Sequence, residues 1–578
     1  MPEVRLLPDD IRVEAAEGST ISEAARKAGI HLAHPCGGRG LCGRCTVFVE
    51  GQPALACVTP ASQSPVYIPD AIRLDGQAIP TDIRTYDPRR NRLPRVERAD
   101  VTLDPPTLSD PASDAERLCG ALSARYGVKA RIEASCLPDL PGNLRADNFT
   151  ISPVIVHEDD GVTVLSCARE PLCGIAADVG TTTVAAALCD LETGRVLDTV
   201  AAPNPQAEYG ADIITRIVYT EETPFGARTL KEAILNTLSD CIKILSARAG
   251  IPPERIPVMA IAGNTVMSHF LLGIPADYLR REPYVPAARI YPAVRPSELG
   301  LPLLPCGRVI ILPSVASYVG GDITAGVIAL DLAARDSVNI LADVGTNGEI
   351  VLSGPGFMTA CSCSMGPAFE GSGISCGSRA VRGAVDNVYC REGNLIYETI
   401  GGPEAEPKSV CGSGLVSLLS ALLEKGVIDR SGRFTTPENY FTLTRGVTIT
   451  QADISNLIRA KAAIYAGMSV LARQLDMSLS DIDAVYVAGG FGRGINIEHA
   501  VNIGMLPPLP NDRFRYAGNT SLAGALRVLC DRTVNAGEAA ASITNIELSI
   551  GNEFMEEFIK SCFLPHTEGD FFLVKQAS

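Results

Sequence analysis

Ile175–Cys189 of this 578-residue chain read IAADVGTTTVAAALC, and Ile340–Leu352 read ILADVGTNGEIVL. The pentapeptide ADVGT therefore occurs twice, 165 residues apart. In each copy an apolar run ends at an Asp, passes through a Gly-Thr turn and continues as a second apolar run, which predicts two strands joined by a tight turn. The duplication indicates two related halves in the carboxy-terminal part of the chain.

Both Gly-Thr turns have the composition of a phosphate-binding loop. Successive backbone N–H groups and Thr hydroxyls can point at phosphate oxygens, and Gly lets the backbone approach the ligand closely. The Asp before each turn is placed to hold hydrated Mg²⁺. Each turn taken alone is equally consistent with a tight hairpin that binds nothing, but two facing copies would clamp one triphosphate.

A third glycine-rich segment, Ala484–Ile495 (AVYVAGGFGRGI), predicts a strand, a turn and a helix start suited to packing against a base or ribose. Together the three segments resemble the ASKHA superfamily of sugar kinases, chaperone ATPases and actin, in which two related α/β lobes close over ATP. The chain contains no G-x-x-x-x-G-K-[ST] motif, so a P-loop site is excluded.

This resemblance assigns roles to residues of all three segments. It implies a first phosphate loop of Asp178, Gly180, Thr181, Thr182 and Thr183, and a second of Asp343, Gly345, Thr346, Asn347 and Gly348. It implies an adenosine loop of Gly489, Gly490, Phe491 and Gly492.

A few residues outside these loops are further candidates. Asp322 could bind a metal ion or water, and Glu349 and Glu370 could act as acid–base groups; for each, a solvated or helix-capping role is the alternative. Lys461 lies on a predicted helix, and we expect it to be a surface lysine rather than a phosphate ligand.

Four of the eighteen cysteines fall within 22 residues, spaced Cys36-x5-Cys42-x2-Cys45-x11-Cys57. A plant-type [2Fe–2S] loop has the spacing C-x4-C-x2-C with a distant fourth Cys, so the first gap is longer here by one residue. Glycines between these cysteines would let the chain wrap a cluster closely. A structural zinc site is the alternative, although zinc ribbons usually pair two C-x2-C knuckles and this segment has one. Most other cysteines are expected to pack as small apolar residues.

The chain divides into four predicted parts. Alternating residues at Val4–Ala15 and a capping box at Thr20–Glu23 precede the cysteine loop, as in a β-grasp ferredoxin-like domain. We predict this domain over residues 1–70, a Pro- and Arg-rich linker over 71–96, a small α+β middle domain over 97–170, and a two-lobed, actin- and hexokinase-like α/β ASKHA domain over 171–578.

Composition limits the partners. Fifty Lys and Arg against 66 Asp and Glu give a formal charge of −16, which disfavours a phosphate backbone as the main partner. The sequence has no run of 18 apolar residues, and its first ten residues lack the pattern of a secretion signal. We therefore expect a cytoplasmic protein that binds neither membrane nor nucleic acid.

The order of the parts resembles the reductive activators of corrinoid proteins, which join a [2Fe–2S] ferredoxin-like domain, a linker, a small middle domain and a large ASKHA domain. The resemblance also covers NPQAEYGADIITRI (Asn204–Ile217), GPAFEG, CGSGL and VAGGFG. It implies an ATP-hydrolysing electron-transfer protein that returns the Co(II) corrinoid of a methyltransferase system, as used in anaerobic O-demethylation, to Co(I). The implied cofactors are a [2Fe–2S] cluster, ATP and Mg²⁺.

The implied partners are a corrinoid protein and a low-potential electron donor, and a homodimer through the ASKHA domain stays open. ATP use fits this activity because moving one electron to a lower-potential acceptor costs about 1.4 kcal/mol per roughly 59 mV. Three alternatives also stay open. They are an activator of another low-potential enzyme, like those of 2-hydroxyacyl-CoA dehydratases, which carry a subunit-bridging [4Fe–4S] cluster; a metabolite kinase with an accessory cluster; and a non-catalytic ATP sensor.

Overall fold

The computed structural model describes residues 3–568 apart from 17, 33, 35, 42, 44, 70–71, 74–80, 91–92, 168–170, 372 and 490–493. Its first sheet contains β1 (Glu3–Leu7), β2 (Ile11–Glu14), β3 (Thr46–Val49), β4 (Gln52–Leu55) and β5 (Val66–Tyr67), and helix α1 (Ile21–Lys27) packs on it. The strand order is β2-β1-β5-β3-β4, with β1 and β5 parallel. Thr20 and Glu23 form the predicted capping box. This is the β-grasp arrangement that the sequence predicts.

A second, smaller α+β unit follows. Its elements are β6 (Val96–Arg98), β7 (Val101–Thr102), α2 (Asp114–Tyr126), β8 (Ala130–Ile132), α3 (Leu140–Ala146), β9 (Thr150–Ile151), β10 (Val154–Glu158) and β11 (Gly161–Ser166). The main sheet has the order β6-β10-β11-β8, and Leu118 and Leu122 of α2 pack in the core of this unit. Ser113 caps α2 and Gly127 ends it in a left-handed conformation, as its sequence pattern predicts.

The first lobe of the carboxy-terminal part is built on the first ADVGT repeat. Its elements are β12 (Cys173–Val179), β13 (Thr183–Asp190), β14 (Val196–Pro203), α4 (Ile213–Glu222), α5 (Gly226–Ala249), β15 (Val258–Gly263), α6 (Thr265–Leu272), α7 (Pro296–Leu299), β16 (Arg308–Ile311) and α8 (Gly321–Leu330). The sheet order is β14-β13-β12-β15-β16, with the first three strands antiparallel and the last two parallel to β12.

The second lobe repeats this topology. Its elements are β17 (Asn339–Val344), β18 (Gly348–Gly354), β19 (Phe357–Cys363), β20 (Ala384–Arg391), β21 (Asn394–Thr399), β22 (Ser409–Val410), α9 (Gly412–Glu424), β23 (Tyr440–Thr444), β24 (Val447–Thr450), α10 (Gln451–Arg473), β25 (Ala484–Ala488), α11 (Ile497–Asn502), β26 (Phe514–Gly518), α12 (Thr520–Cys530), α13 (Ala536–Ala541), β27 (Thr544–Asn545) and α14 (Glu553–Ser561). Its main sheet runs β19-β18-β17-β25-β26, the same 3-2-1-4-5 order, with β27 added beside β19.

Helices α8 and α12 pack together between the two sheets. Leu522 and Leu526 of α12 belong to the core beneath the first sheet, and Val327 and Leu330 of α8 belong to the core beneath the second. The amino-terminal ends of both helices therefore lie in the cleft between the lobes.

The linker crosses this cleft. Thr81 Oγ1 lies 2.5 Å from Thr199 Oγ1 of β14, and the carbonyl of Asp82 accepts a hydrogen bond from Asn519 N at 2.6 Å. The Arg84 guanidinium stacks 4.5 Å from the centre of the Tyr516 ring. The described linker residues thus contact both lobes, as an arm laid over a neighbouring domain does.

Candidate active site

A cavity of about 200 Å³ lies between the two lobes, where the Gly-Thr turns of both repeats meet. Most of the predicted nucleotide residues line it. The lining includes Asp178, Gly180, Thr181, Thr182, Thr183, Asp322, Asp343, Gly345, Thr346, Asn347, Glu349, Glu370 and Gly489. Residues predicted from three distant segments therefore share one site.

The two phosphate loops face each other across this cavity. Thr182 Oγ1 and Thr346 Oγ1 lie 2.9 Å apart. Both hydroxyls also reach one carboxylate, because Thr182 donates to Glu370 Oε2 at 3.2 Å and Thr346 donates to Oε1 at 3.1 Å. Glu370 is the last residue of the 3₁₀ turn Pro367–Glu370 and joins the two loops, a role the sequence did not indicate.

Gly348 does not line the cavity. It begins β18, and a Cβ there would meet Met365 Sδ at 2.8 Å and Cys363 Sγ at 2.9 Å. The Cβ position of Gly348 points into the core. Glycine here therefore allows close packing beneath the loop and does not contact a ligand.

Asp178 is the most firmly held carboxylate. It lies near the end of β12, where Asn519 Nδ2 donates to its Oδ2 at 2.8 Å and Ser521 Oγ donates to its Oδ1 at 2.9 Å. Burial raises the pKa of Asp178, and these two hydrogen bonds oppose that shift. Two neutral donors from the start of α12 thus fix the carboxylate without neutralising it.

Three of the other carboxyl groups that line the cavity influence one another's pKa. Asp343 on β17 pairs in register with Glu349 on β18, and Asp322 lies in the first turn of α8. Burial, reinforced by Asp178, raises the pKa of Asp343 to about 7, and burial with repulsion from Asp343 and Asp178 raises that of Asp322 to about 7. Burial and the charges of Asp322 and Asp343 raise the pKa of Glu349 well above its usual range. Such a group of anions favours a bound cation.

The third loop approaches the second repeat closely. Gly489 has φ +91°, and a Cβ there would meet Val344 O at 2.7 Å and Asp343 Oδ1 at 2.8 Å. Glycine is therefore required for β25 to end against Asp343. Gly490, Phe491 and Gly492, the rest of the predicted adenosine loop, lie outside the described residues.

Sequence reasoning missed several lining residues, among them Asp82, Asn264, Tyr516, Asn519 and Ser521. Asn264 caps α6, and its Nδ2 donates to Thr181 Oγ1 at 3.0 Å. A signal was present, because the triplet Gly-Asn-Thr occurs at both 263–265 and 518–520, directly after a strand each time.

The expectation for Lys461 is wrong. Its side chain is fully buried in α10, and Nζ donates to Phe563 O at 2.6 Å and Pro565 O at 2.7 Å. Burial lowers its pKa to about 7. The amine ties the carboxy-terminal segment to α10 and does not face the cavity, because the apolar face of α10 on which it lies packs inside the second lobe.

The cysteine loop brings two of the predicted ligands into contact. Cys45 Sγ and Cys57 Sγ lie 3.2 Å apart, and Cys42 lies outside the described residues. Burial, with the neighbouring Cys45 and Cys36, raises the pKa of Cys57 to about 12, while a backbone hydrogen bond from Gly40 favours its thiolate. Sulfur atoms that repel as thiolates and receive backbone N–H groups fit an iron–sulfur cluster.

Direct coordination by three or more side chains is not found among the described residues, in which no such group of His, Cys, Asp or Glu is arranged around one point. Of the four predicted cluster ligands, Cys36, Cys45 and Cys57 are among the described residues.

Comparisons with known proteins cover the chain from end to end. Family models match as the 2Fe-2S iron-sulfur cluster binding domain at residues 4–62, the RACo linker region at 88–169, the RACo middle region at 173–335, and the C-terminal domain of RACo, the ASKHA domain, at 337–575. A solved structure of a reductive activator for corrinoid, iron-sulfur protein is 38% identical and superposes with a TM-score of 0.76, covering 99% of this chain and 100% of that one. The chain belongs to the family of reductive activators of corrinoid proteins.

Two curated relatives agree with membership of this activator family. The corrinoid activation enzyme RamQ of Eubacterium limosum is 27% identical over 593 residues, which cover 95% of this chain and 96% of that protein. The [Co(II) methylated amine-specific corrinoid protein] reductase of Methanosarcina barkeri is 26% identical over 402 residues, which cover 62% of this chain and 70% of that protein.

These matches confirm the predicted ferredoxin-like and ASKHA folds of the activator, and with them the [2Fe–2S] cluster and ATP as its cofactors. They decide against zinc at the amino terminus. None of the helices within the described ranges is both long and apolar enough to cross a bilayer.

Proposed function

We propose that this protein uses ATP to reduce the inactive Co(II) corrinoid of a methyltransferase corrinoid protein to Co(I), one electron at a time. The observation that carries the proposal is the likeness to a reductive activator over essentially the whole of both chains. A kinase with an accessory cluster would share only the ASKHA part. The activators of 2-hydroxyacyl-CoA dehydratases would lack the amino-terminal cluster domain that this chain has.

The cluster would be held by Cys36, Cys42, Cys45 and Cys57. When bound, it supplies a one-electron carrier between a low-potential donor and the corrinoid. The cysteine loop packs closely on the segment that follows Cys57. Gly40 has φ +70°, and a Cβ there would meet Val58 Cγ1 at 3.0 Å. Leu41 is 77% exposed beside these cysteines, which leaves this edge of the domain open to a redox partner.

The nucleotide would be held between the two phosphate loops. In this proposal Asp178 and Asp343 would hold hydrated Mg²⁺. The Thr182 and Thr346 hydroxyls, which donate to Glu370 here, would turn their protons to phosphate oxygens. Asp322, which lies in the first turn of α8 and lines the same cavity, would accept the proton of the attacking water. Burial and the charges of Asp322 and Asp343 raise the pKa of Glu349, which lines the same cavity.

A reaction mixture of purified components tests the proposal. Protein with an intact cluster, ATP, Mg²⁺, a low-potential reductant and a Co(II) corrinoid protein should give the Co(I) absorption band, and omission of ATP should suppress it. Absence of the band with cluster and ATPase both intact would contradict the function. Phosphorylation of a small metabolite instead would point to the kinase alternative.

Three finer points belong to the same proposal: a low-potential donor protein, a cytoplasmic location, and a homodimer formed through the ASKHA domain. Light scattering of the full chain at micromolar concentration distinguishes a monomer from a dimer.

A further inference from the structure

The backbone carbonyls of the first phosphate loop are hydrogen-bonded by two residues that follow β14, Asn204 and Arg216. Three consecutive carbonyls accept hydrogen bonds there: Gly180 O from Asn204 Nδ2 at 2.9 Å, Thr181 O from Arg216 Nη2 at 2.6 Å, and Thr182 O from Asn204 N at 2.9 Å. Asn204 and Arg216 are both completely buried. The position of this loop therefore depends on these two residues.

Arg216 also binds residues 204–210, which we name the docking segment. Its Nη1 donates to Gln206 Oε1 at 3.1 Å and its Nε donates to Gly210 O at 2.9 Å. The described residues place no carboxylate within 4 Å of the guanidinium, and burial lowers its pKa. A fully buried arginine that binds three neutral acceptors on two segments fixes their relative position.

The other side of the docking segment binds the cluster domain. Glu208, which is nearly buried, accepts from Arg26 Nε at 2.9 Å and contacts His31 Nδ1. Its neighbour Ala207 accepts from His34 N at 3.2 Å through the backbone carbonyl. An ion pair with one buried partner is expected to matter more than an exposed one.

The same segment contacts the cysteine loop directly. A Cβ at Gly37 would lie 2.9 Å from Tyr209 O, whereas a Cβ at Gly38 would meet nothing within 4 Å. Gly37 follows Cys36, so the backbone of the docking segment lies against the loop that carries the predicted cluster ligands. The phosphate loop and the cluster loop are thus separated by Arg216 and a seven-residue segment.

We propose that Arg216 is a positioning residue that couples nucleotide binding at the first phosphate loop to docking of the cluster domain on residues 204–210. The inference rests on the proposed function only in that the loop binds the phosphates of ATP. It adds the route by which nucleotide acts on the electron-carrying domain.

Charge gives the coupling its direction. A triphosphate in the cavity attracts the buried guanidinium, which forms no ion pair within the described residues and is compensated only at longer range by Asp212 and Glu370. Nucleotide therefore strengthens the contacts of Arg216 and tightens docking. Because coupling between sites is reciprocal, docking must tighten nucleotide binding by the same factor.

Hydrogen exchange measured by mass spectrometry tests this on the full chain with its cluster intact. In the wild type, Mg²⁺ with AMP-PNP should slow exchange about 5-fold or more in peptides that contain Arg26 and His31. Arg216→Lys keeps the charge but cannot make the three-way contact, so the nucleotide effect on these peptides should disappear at saturating AMP-PNP. Arg228→Lys, at an exposed position on α5, is the matched control and should respond as the wild type does.

A second pair of variants keeps the test valid if Arg216→Lys does not fold. Gly37→Ala and Gly38→Ala both force alanine into a left-handed conformation, at φ +66° and +79°, but Gly37→Ala alone adds the clash with Tyr209. Beyond the effect of Gly38→Ala, Gly37→Ala should speed exchange at Arg26 and His31 and weaken AMP-PNP binding about 5-fold or more. Iron and sulfide contents are measured for each variant.

The outcomes separate the two proposals. If AMP-PNP binds the wild type but leaves the cluster-domain peptides unchanged, the coupling is wrong while the proposed function stands. Equal effects of Gly37→Ala and Gly38→Ala on nucleotide affinity, or an unaltered response in Arg216→Lys, would also overturn the coupling. If the wild type does not bind AMP-PNP at all, both proposals fail.

Discussion

Replacement of Asp343 by Asn should stabilise the nucleotide-free protein while it abolishes ATP hydrolysis. Asp343 is buried beside Asp178, and its pKa is raised to about 7. The folded state therefore binds the proton more tightly than the unfolded chain does, so stability falls as pH rises from about 4 to about 7. A neutral amide of the same shape removes that loss.

The size of the effect follows from the shift. A pKa raised by about three units corresponds to roughly 4 kcal/mol at 1.36 kcal/mol per unit, which is an upper bound for the gain at pH 8. At pH 5 the loss in the wild type is only about two-fifths of this, because the folded carboxyl is still protonated. The gain from Asp343→Asn should therefore grow with pH, and a gain of a few kcal/mol raises the Tm by several degrees.

The assay is anaerobic thermal unfolding between pH 5 and 8 in EDTA, with ATPase activity measured separately in Mg²⁺. Asp240→Asn is the matched control, because Asp240 is exposed on α5 and far from the cavity. Hydrolysis by Asp343→Asn should fall about 100-fold or more, the usual effect of removing one group that stabilises a transition state.

Two results would refute this reasoning. A Tm that falls, or that rises by the same amount at pH 5 and pH 8, would mean that Asp343 is not a destabilising buried anion. Retained ATPase activity would mean that Asp343 does not act on bound Mg²⁺.

Three further predictions concern the cysteine loop, the phosphate loops and the buried lysine. Cys57→Ser should lose the visible absorption of the [2Fe–2S] cluster, whereas Cys390→Ser in β20 should keep it; an unchanged spectrum in Cys57→Ser would exclude this ligand. Thr182→Val removes the hydroxyl that donates to Glu370 here and that we propose contacts a phosphate oxygen of ATP. Calorimetry should show ATP affinity falling roughly 10-fold or more, as expected when a hydrogen bond to a charged group is lost. Burial lowers the pKa of Lys461 to about 7, so the unfolded chain binds that proton more tightly and stability should rise between about pH 7 and 10. Lys461→Met should lose this rise in Tm, and a parallel pH profile would contradict it.

The sequence predicts those parts of the site whose residues are close together in the chain. The ADVGT repeat predicts two phosphate loops because a strand, an Asp and a Gly-Thr turn are adjacent in the chain, and the structure places both turns in one cavity. The cysteine spacing likewise identifies the cluster domain. The repeat also indicates two related halves, and the structure shows that both lobes have the same strand order around β12 and β17.

The rest of the site depends on contacts between distant segments. Asn519 reaches Asp178 across 341 residues, and only the packing of α12 between the sheets brings them together. Glu370 and Asp82 enter the cavity from a short turn and from the linker, neither of which has a periodic pattern. Arg216 and Lys461 look like ordinary helix-surface cations, because local sequence does not state which helix face is buried.

The two repeats differ in the residues that surround their loops, and these differences assign hydrolysis and docking to different repeats. Opposite Asp178 in the register of the first lobe stands Ala185, whereas opposite Asp343 in the second stands Glu349, so the second copy adds a carboxyl group to the cavity. The first copy instead has the docking segment behind its loop. Hydrolysis and docking should therefore be separable.

Asp322→Asn provides the separation. It should lower kcat for ATP about 100-fold or more, as loss of a general base does, yet keep the AMP-PNP-dependent protection of the cluster domain that Arg216→Lys loses. Steady-state ATPase and hydrogen exchange on the same preparations measure the two effects. If Asp322→Asn also loses the protection, the carboxylates and the docking segment act as one unit. Because AMP-PNP is not hydrolysed, that loss would mean that Asp322 acts in nucleotide binding and not only in hydrolysis.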